Sequence, residues 1–252
     1  MLGKVPATRL ALIERIVTHA SHRKAPLGAQ FIRAYYHGVA EEDLRARSRE
    51  NLAAAALSHL ALGGRRRRGV PLIRIFNPDA ATDGWTSRHT IVAVITEDMP
   101  FLVDSLGIVF KQEGCAVHLI VHPVLHVERD GRGQLTALRE APTRGARAES
   151  WQLIEIDREI DPARLSIISR RLRSTLDDVG AAVADWRSMR GRLRELAVAL
   201  EKSPPPMPDK EVEEARALVE WMEDNHFTLL GYRRYSLERG RGQDFLKPDV
   251  AS

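Results

Sequence analysis

The feature that most constrains this chain is an abrupt change of hydrophobic period at Gly63-Gly64. Ahead of the two glycines, apolar residues recur every three or four positions. Behind them, apolar residues alternate or gather in β-branched runs. Leu10, Ile13, Val17 and Ala20 fall on one helical face. Pro26 and Gly28 interrupt the pattern, and Phe31, Ile32, Tyr35 and Tyr36 form a second stripe. Glu41, Glu42 and Asp43 open a third helix, where carboxylates suit the positive end of the helix dipole. Its body runs through Leu52, Ala55, Ala56 and Leu60 until the glycines stop it. Residues 72–77, 89–96, 115–127, 134–138 and 151–156 read as strands, with a helix over 101–113. Asp161-Pro162 is a helix start, and Leu165, Ile168, Leu172 and Leu176 begin an apolar seam that continues to Leu200. This is one long helix or two stacked ones, with Gly180 as a candidate kink. The fold class is therefore α+β. A helical subdomain covers 1–64, a mixed domain covers 70–202, and a further domain starts over 209–252 beyond a Pro-rich linker. In that last part a helix spans 211–223 and a strand 227–237.

At 252 residues the chain can bury the core of one large domain or two small ones. No apolar run approaches the roughly 18 residues of a membrane span. A single cysteine, Cys115, excludes an internal disulfide, so the expected compartment is the cytoplasm. An isoelectric point near 9.4 invites a nucleic-acid reading, yet the net charge is only +4. The four arginines 65–68, bracketed by Gly64 and Gly69, read as a solvated hinge, because no aromatic residues are interleaved for base stacking. Neither nucleic acid nor membrane is an expected partner.

Candidate chemistry is sparse. His118, His122 and His126 would make a metal pair on a helix, but Pro123 and the surrounding valines place them on a strand. There, residues four apart lie about 13 Å from each other, so the three histidines line one sheet face instead. Cys115 lacks a local base and reads as a small buried residue. Asp79 with Asp83, and Glu155 with Asp157, read as solvated acids rather than catalytic pairs. No glycine fingerprint for a nucleotide and no nucleophile–base set is present, so no catalytic residue, metal or cofactor is assigned within this chain. The most informative segment joins the strand at 89–96 to the helix at 101–113. Asp98 can cap that helix, Pro100 fits its first turn, and its free backbone N–H groups suit an anion such as an amino-acid carboxylate. A plain helix cap is the other reading.

This segment resembles the D-x-P-G-L-[LV] turn of ACT domains, βαββαβ modules that bind amino acids and regulate metabolic enzymes. The resemblance implies an antiparallel sheet with helices on one face. It also implies an effector-binding turn made of Asp98, Met99, Pro100, Phe101 and Asp104. Phe101 stands where the motif has glycine, so its ring would fill or cover the effector pocket. Longer blocks extend the likeness: RIFNP (74–78), EDMPFLVDS (97–105), VHLIVHPVLHVERD-G (117–131), ESWQLIEIDR (149–158) and NHFTLLGYRRY (225–235). In this order they resemble the N-terminal region of the large bacterial NAD-specific glutamate dehydrogenases. That family oxidises L-glutamate with NAD to 2-oxoglutarate and ammonia. The resemblance implies a regulatory or assembly region that is itself non-catalytic, a downstream catalytic domain in the same chain that binds NAD, and a homo-oligomer. A stand-alone ACT-like amino-acid-binding or oligomerisation module is the alternative.

Overall fold

A computed structural model describes residues 7–21, 25–239 and 244–249. The helical period closes into α1 (Ala7–Ala20), α2 (Gly28–Tyr36), α3 (Glu41–Arg45) and α4 (Arg49–Leu62). The single third helix expected from the sequence is thus two. Ser48 divides them: its backbone is extended, and its side chain accepts the Asn51 N–H at 3.2 Å, starting a new helix.

Beyond the glycines come β1 (Leu72–Phe76), β2 (Thr90–Glu97), α5 (Leu102–Gln112), β3 (Val117–Val121), β4 (Val124–Arg129), β5 (Leu135–Arg139), β6 (Arg147–Ile156) and α6 (Pro162–Lys202). The sheet is antiparallel in the order β1-β2-β6-β4-β5, and β3 also pairs with β6. The long strand expected over 115–127 is interrupted at His122-Pro123, since proline has no N–H for the ladder. Its two halves still pair with successive stretches of β6: Val121 lies opposite Leu153, and Val124 opposite Ser150. β6 begins at Arg147, four residues earlier than its apolar run suggests. Helix α6 is continuous past Gly180, and Asp161 accepts the Ala163 N–H at 2.9 Å at its start.

Both faces of the sheet are covered: α5 and α6 lie on one, as the ACT-like sandwich implies, and the N-terminal helical layer lies on the other. Every residue of β2 from Thr90 to Thr96 is buried, so neither face of this strand meets water. Ile91 and Ile95, with Trp151 and Leu153 of β6, join one core with Ile13, Phe31, Tyr35 and Leu60 of the helical layer. Val92, Val94, Ile154 and Ile156 point the other way by strand alternation. Buried Leu106 and Phe110 of α5, and Ile168 and Leu172 of α6, cover that second face. The helices ahead of Gly63 therefore share a core with the sheet. Gly63 itself is required by packing, since a Cβ there would sit 2.0 Å from the Trp151 ring.

The four arginines 65–68 do not behave as one solvated hinge. Arg66 is 3% exposed and holds two carboxylates, Glu97 and Glu149, at 2.9 Å each. Arg129 grips Glu149 from the other side through two 2.8 Å bonds and donates to the carbonyls of Gly63 and Gly133. Glu149 is fully buried and also accepts the Trp151 indole N–H at 3.2 Å.

The described residues fall into two units that divide between Asp177 and Asp178. The second contains the later turns of α6, then α7 (Asp209–Trp221) and the hairpin β7 (Tyr235–Arg239) and β8 (Asp244–Pro248). The strand expected over 227–237 begins only at Tyr235, because β8 offers a partner only from there. Arg190 and Arg194 both hold Glu223 at 2.6 Å.

Replacing Glu149 with alanine leaves two buried guanidinium groups without their shared anion and should cost about 3–5 kcal/mol in urea unfolding. Gly63→Ala should cost at least about 2 kcal/mol by overpacking against Trp151. A loss below about 1 kcal/mol in either variant would contradict the described packing.

Candidate functional site

The turn singled out by the sequence lies between β2 and α5. Asp98 ends the β2–β6 ladder, its N–H donating to the Ala148 carbonyl at 3.0 Å. Asp98, Pro100 and Asp104 are exposed, and Met99 is half-buried. The capping role expected of Asp98 is not found. The helix starts at Leu102 with Phe101 as its N-cap, and no side chain caps it. Phe101 adopts φ 70°, the left-handed conformation for which glycine is suited, and the residue is 46% exposed. The backbone of the glycine motif is thus kept without the glycine, at a strain of about 1–2 kcal/mol. Two exposed carboxylates flank the turn, which disfavours an anion there. Ile108, in the middle of α5, is a second large apolar residue in solvent, 56% exposed.

A second concave feature has no motif in the sequence. A cavity of about 480 Å³ opens between the helical layer and the sheet. Its apolar wall includes Leu52, Ala55, Trp85, Leu119, Val121 and Leu153, and its polar rim includes Arg47, Ser48, Asn51, Arg88, His89 and Glu155. These residues come from the α3–α4 connection and α4, from the loop before β2, and from β3 and β6. Glu155 is 7% exposed and is bound by Arg47 at 2.7 Å and His89 at 3.2 Å. His89 stacks on His118 with ring centroids 4.0 Å apart, and His118 bonds Asp157 at 2.7 Å. The N–H of Ala116 and then His118 hold the Asp157 carboxyl below its ordinary range. Of the predicted acid pair, Glu155 is buried against Arg47 rather than solvated, whereas Asp157 is exposed as expected and bonds His118.

The histidine stripe does not form. A register shift between Val117 and Leu119 makes a bulge at His118, and a bulge re-aims its side chain. His122 sits exposed in the strand break, and His126 lies on β4 opposite Ala148. Among the described residues no group of three potential ligands could hold a metal ion. Cys115 is only partly buried; burial pushes its thiol up, against the pull of Arg164, so no reactive thiolate is favoured. Asp79 accepts the N–H groups of Ala81 and Thr82, and Asp83 pairs with Arg74, so both acids organise their own loop. No described helix is long and apolar enough to cross a membrane.

One buried and one partly buried titratable group link the stability of the fold to pH. His59 lies in the core with Nδ1 2.7 Å from the Tyr35 hydroxyl, and burial depresses its pKa to about 3. Partial burial would raise Glu97, but Arg66 and the Gly69 N–H hold it down at about 2.

With the interrupted β3/β4 taken as one strand, β2-α5-β3/β4-β6-α6 is a β-α-β-β-α unit, with β5 added at one edge of the sheet and β1 at the other, and this is the architecture of an ACT-like domain. The family model described as "Glutamate dehydrogenase, ACT1 domain" matches residues 31–172, more than half of the chain. The chain belongs to that family. It is 35% identical over 238 residues to the NAD-specific glutamate dehydrogenase of Halomonas elongata, covering 93% of this chain and 15% of the relative. It is 32% identical over 224 residues to that of Pseudomonas aeruginosa, covering 88% and 14%. A third relative, from Mycobacterium tuberculosis, is 26% identical over 188 residues, covering 73% and 11%. The chain thus spans about one-seventh of the length of the first two curated relatives.

Two outcomes follow from the geometry. Glycine at position 101 should be more stable than alanine there by about 1 kcal/mol in urea unfolding, since only glycine relieves the left-handed strain. Equal stability would contradict that backbone. Below pH 6.5 the unfolded chain protonates His59 before the folded one does. Stability should therefore fall with pH from there, approaching about 1.4 kcal/mol per pH unit for this group. Glu97 adds a further loss as pH falls below 4.5 toward 2. His59→Gln should flatten the profile between about pH 6.5 and 5, and an unchanged slope there would clear His59 of the effect.

Proposed function

We propose that this chain is the ACT-like region of an NAD-specific glutamate dehydrogenase, itself non-catalytic, and that it serves assembly and regulation of the enzyme. The whole polypeptide would convert L-glutamate and NAD to 2-oxoglutarate, ammonia and NADH in a downstream domain. The observation that carries this reading is the coverage: 88–93% of the chain aligns with dehydrogenases of which it spans only 14–15%. The residues of this chain do not fit NAD. The β2–α5 turn is the strand-to-helix connection nearest to a pyrophosphate site, and it carries Asp98 and Asp104 beside the helix start and Phe101 in place of glycine.

The same turn supports assembly over effector capture. Phe101 at the start of α5 and Ile108 within it are both exposed large apolar residues, and neither Asp98 nor Asp104 favours an incoming carboxylate. We assign Asp98, Met99, Pro100, Phe101 and Asp104 to a contact with another part of the enzyme, in the same subunit or in a second copy.

The test uses the full-length polypeptide from the source organism. It should reduce NAD in a glutamate-dependent manner, and light scattering should give a homo-oligomer. The double variant Phe101→Asp, Ile108→Asp should lower the native mass or loosen the assembly, while Asp98→Ala leaves any amino-acid response intact. A polypeptide that does not reduce NAD with glutamate would remove the dehydrogenase reading. An unchanged assembly in the double variant, or an amino-acid response abolished by Asp98→Ala, would return the turn to effector binding.

A further inference from the structure

The cavity between the helical layer and the sheet contains polar groups that the fold does not use. Arg47 and Glu155 neutralise each other on its rim. Arg88, exposed at the same rim, has no ion-pair or hydrogen-bond partner among the described residues. Arg47 is held by Glu155 at 2.7 Å and lies 3.8 Å from Asp43, so the guanidinium at this rim that is left for an incoming anion is that of Arg88. The wall contains a second open valence: Trp85 is 5% exposed, and its buried indole N–H has no acceptor. Buried donors are nearly always paired, so an orphan beside a cavity marks a place for a ligand oxygen or a water. The rest of the wall is apolar, with Leu52, Leu119 and Leu153. The volume, about 480 Å³, falls within the range of small-molecule sites.

We propose that this cavity binds a small carboxylate carrying an apolar chain. Arg88 takes the carboxylate, the leucine-lined wall takes the chain, and the Trp85 N–H is the donor left for a ligand oxygen. Free organic acids and α-amino acids share this chemistry. They differ in an ammonium group, for which Glu155 is the nearest anion on the rim. The site lies on the face of the sheet covered by α1–α4, away from the β2–α5 turn. It is formed by this chain alone and stands whether or not the dehydrogenase reading holds.

Titration of the ¹⁵N-labelled 252-residue chain, followed through its indole N–H signals, tests the proposal. The four tryptophans give four such signals, and the Trp85→Phe spectrum identifies that of Trp85. Hexanoate, L-norleucine and hexanamide are the probes. Hexanoate or norleucine at millimolar concentration should shift the Trp85 signal saturably. The Arg88→Met variant, which breaks no hydrogen bond or ion pair among the described residues, should weaken that binding about tenfold or more. Tighter binding of norleucine than hexanoate identifies an amino-acid site, and the reverse identifies an organic-acid site. A Trp85 signal unmoved by both acids overturns the proposal. So does equal binding by Arg88→Met, and so does equal binding of uncharged hexanamide.

Discussion

The carboxylate of Glu149 lies fully buried between the guanidinium groups of Arg66 and Arg129, and the placing of both layers of the first core depends on it. Arg66 comes from the segment that leaves α4, Arg129 from the end of β4, and Glu149 from the first half of β6. Arg129 also reaches the carbonyl of Gly63, the last turn of the helical layer. One anion thus fixes the exit of the helices to two strands of the sheet. Burying such a cluster contributes little net stability, since desolvation offsets the attraction. What it contributes is register: any slip of β6 against β4 would leave a charge in the core without its partner. Trp151, two residues along, donates to the same carboxylate and packs its ring where Gly63 has no side chain.

Much of this architecture is legible in the sequence, and the misses have physical causes. The helical period, the β-branched runs and the Asp161-Pro162 cap mark their elements because local sterics and burial agree there. The covering of both sheet faces was also signalled: the run at 90–96 does not alternate, and a strand without a polar face has no side for water. The start of β6 was hidden because its first residues include Arg147 and Glu149, charged types that pattern reading assigns to loops. Buried Arg66 was hidden for the same reason, among three arginine neighbours that are exposed. A charge that is buried with its partner looks identical, in sequence, to one in solvent.

The candidate sites divide similarly. The β2–α5 turn is visible as a motif, and its substituted glycine is visible too. What the sequence does not give is that Phe101 keeps the left-handed backbone and stands exposed. The cavity has no motif at all. Its residues come from the end of α2, the α3–α4 connection, α4, the loop before β2, β3 and β6, and only the docking of the helical layer on the sheet brings them together. The histidines show the converse: a regular spacing in sequence is undone by one bulge and one proline.

The central claim is that the helical layer and the ACT-like sheet form one cooperative body, on which the buried cluster, the cavity and the family assignment's structural meaning all rest. Native-state amide hydrogen exchange of the intact chain across a range of low denaturant concentrations measures this directly. The account predicts that the best-protected amides of α4 exchange with the same opening free energy and the same denaturant dependence as those of β2 and β6. Exchange of α1, α2 and α4 through a separate opening of much lower free energy, with the sheet still protected, would contradict it.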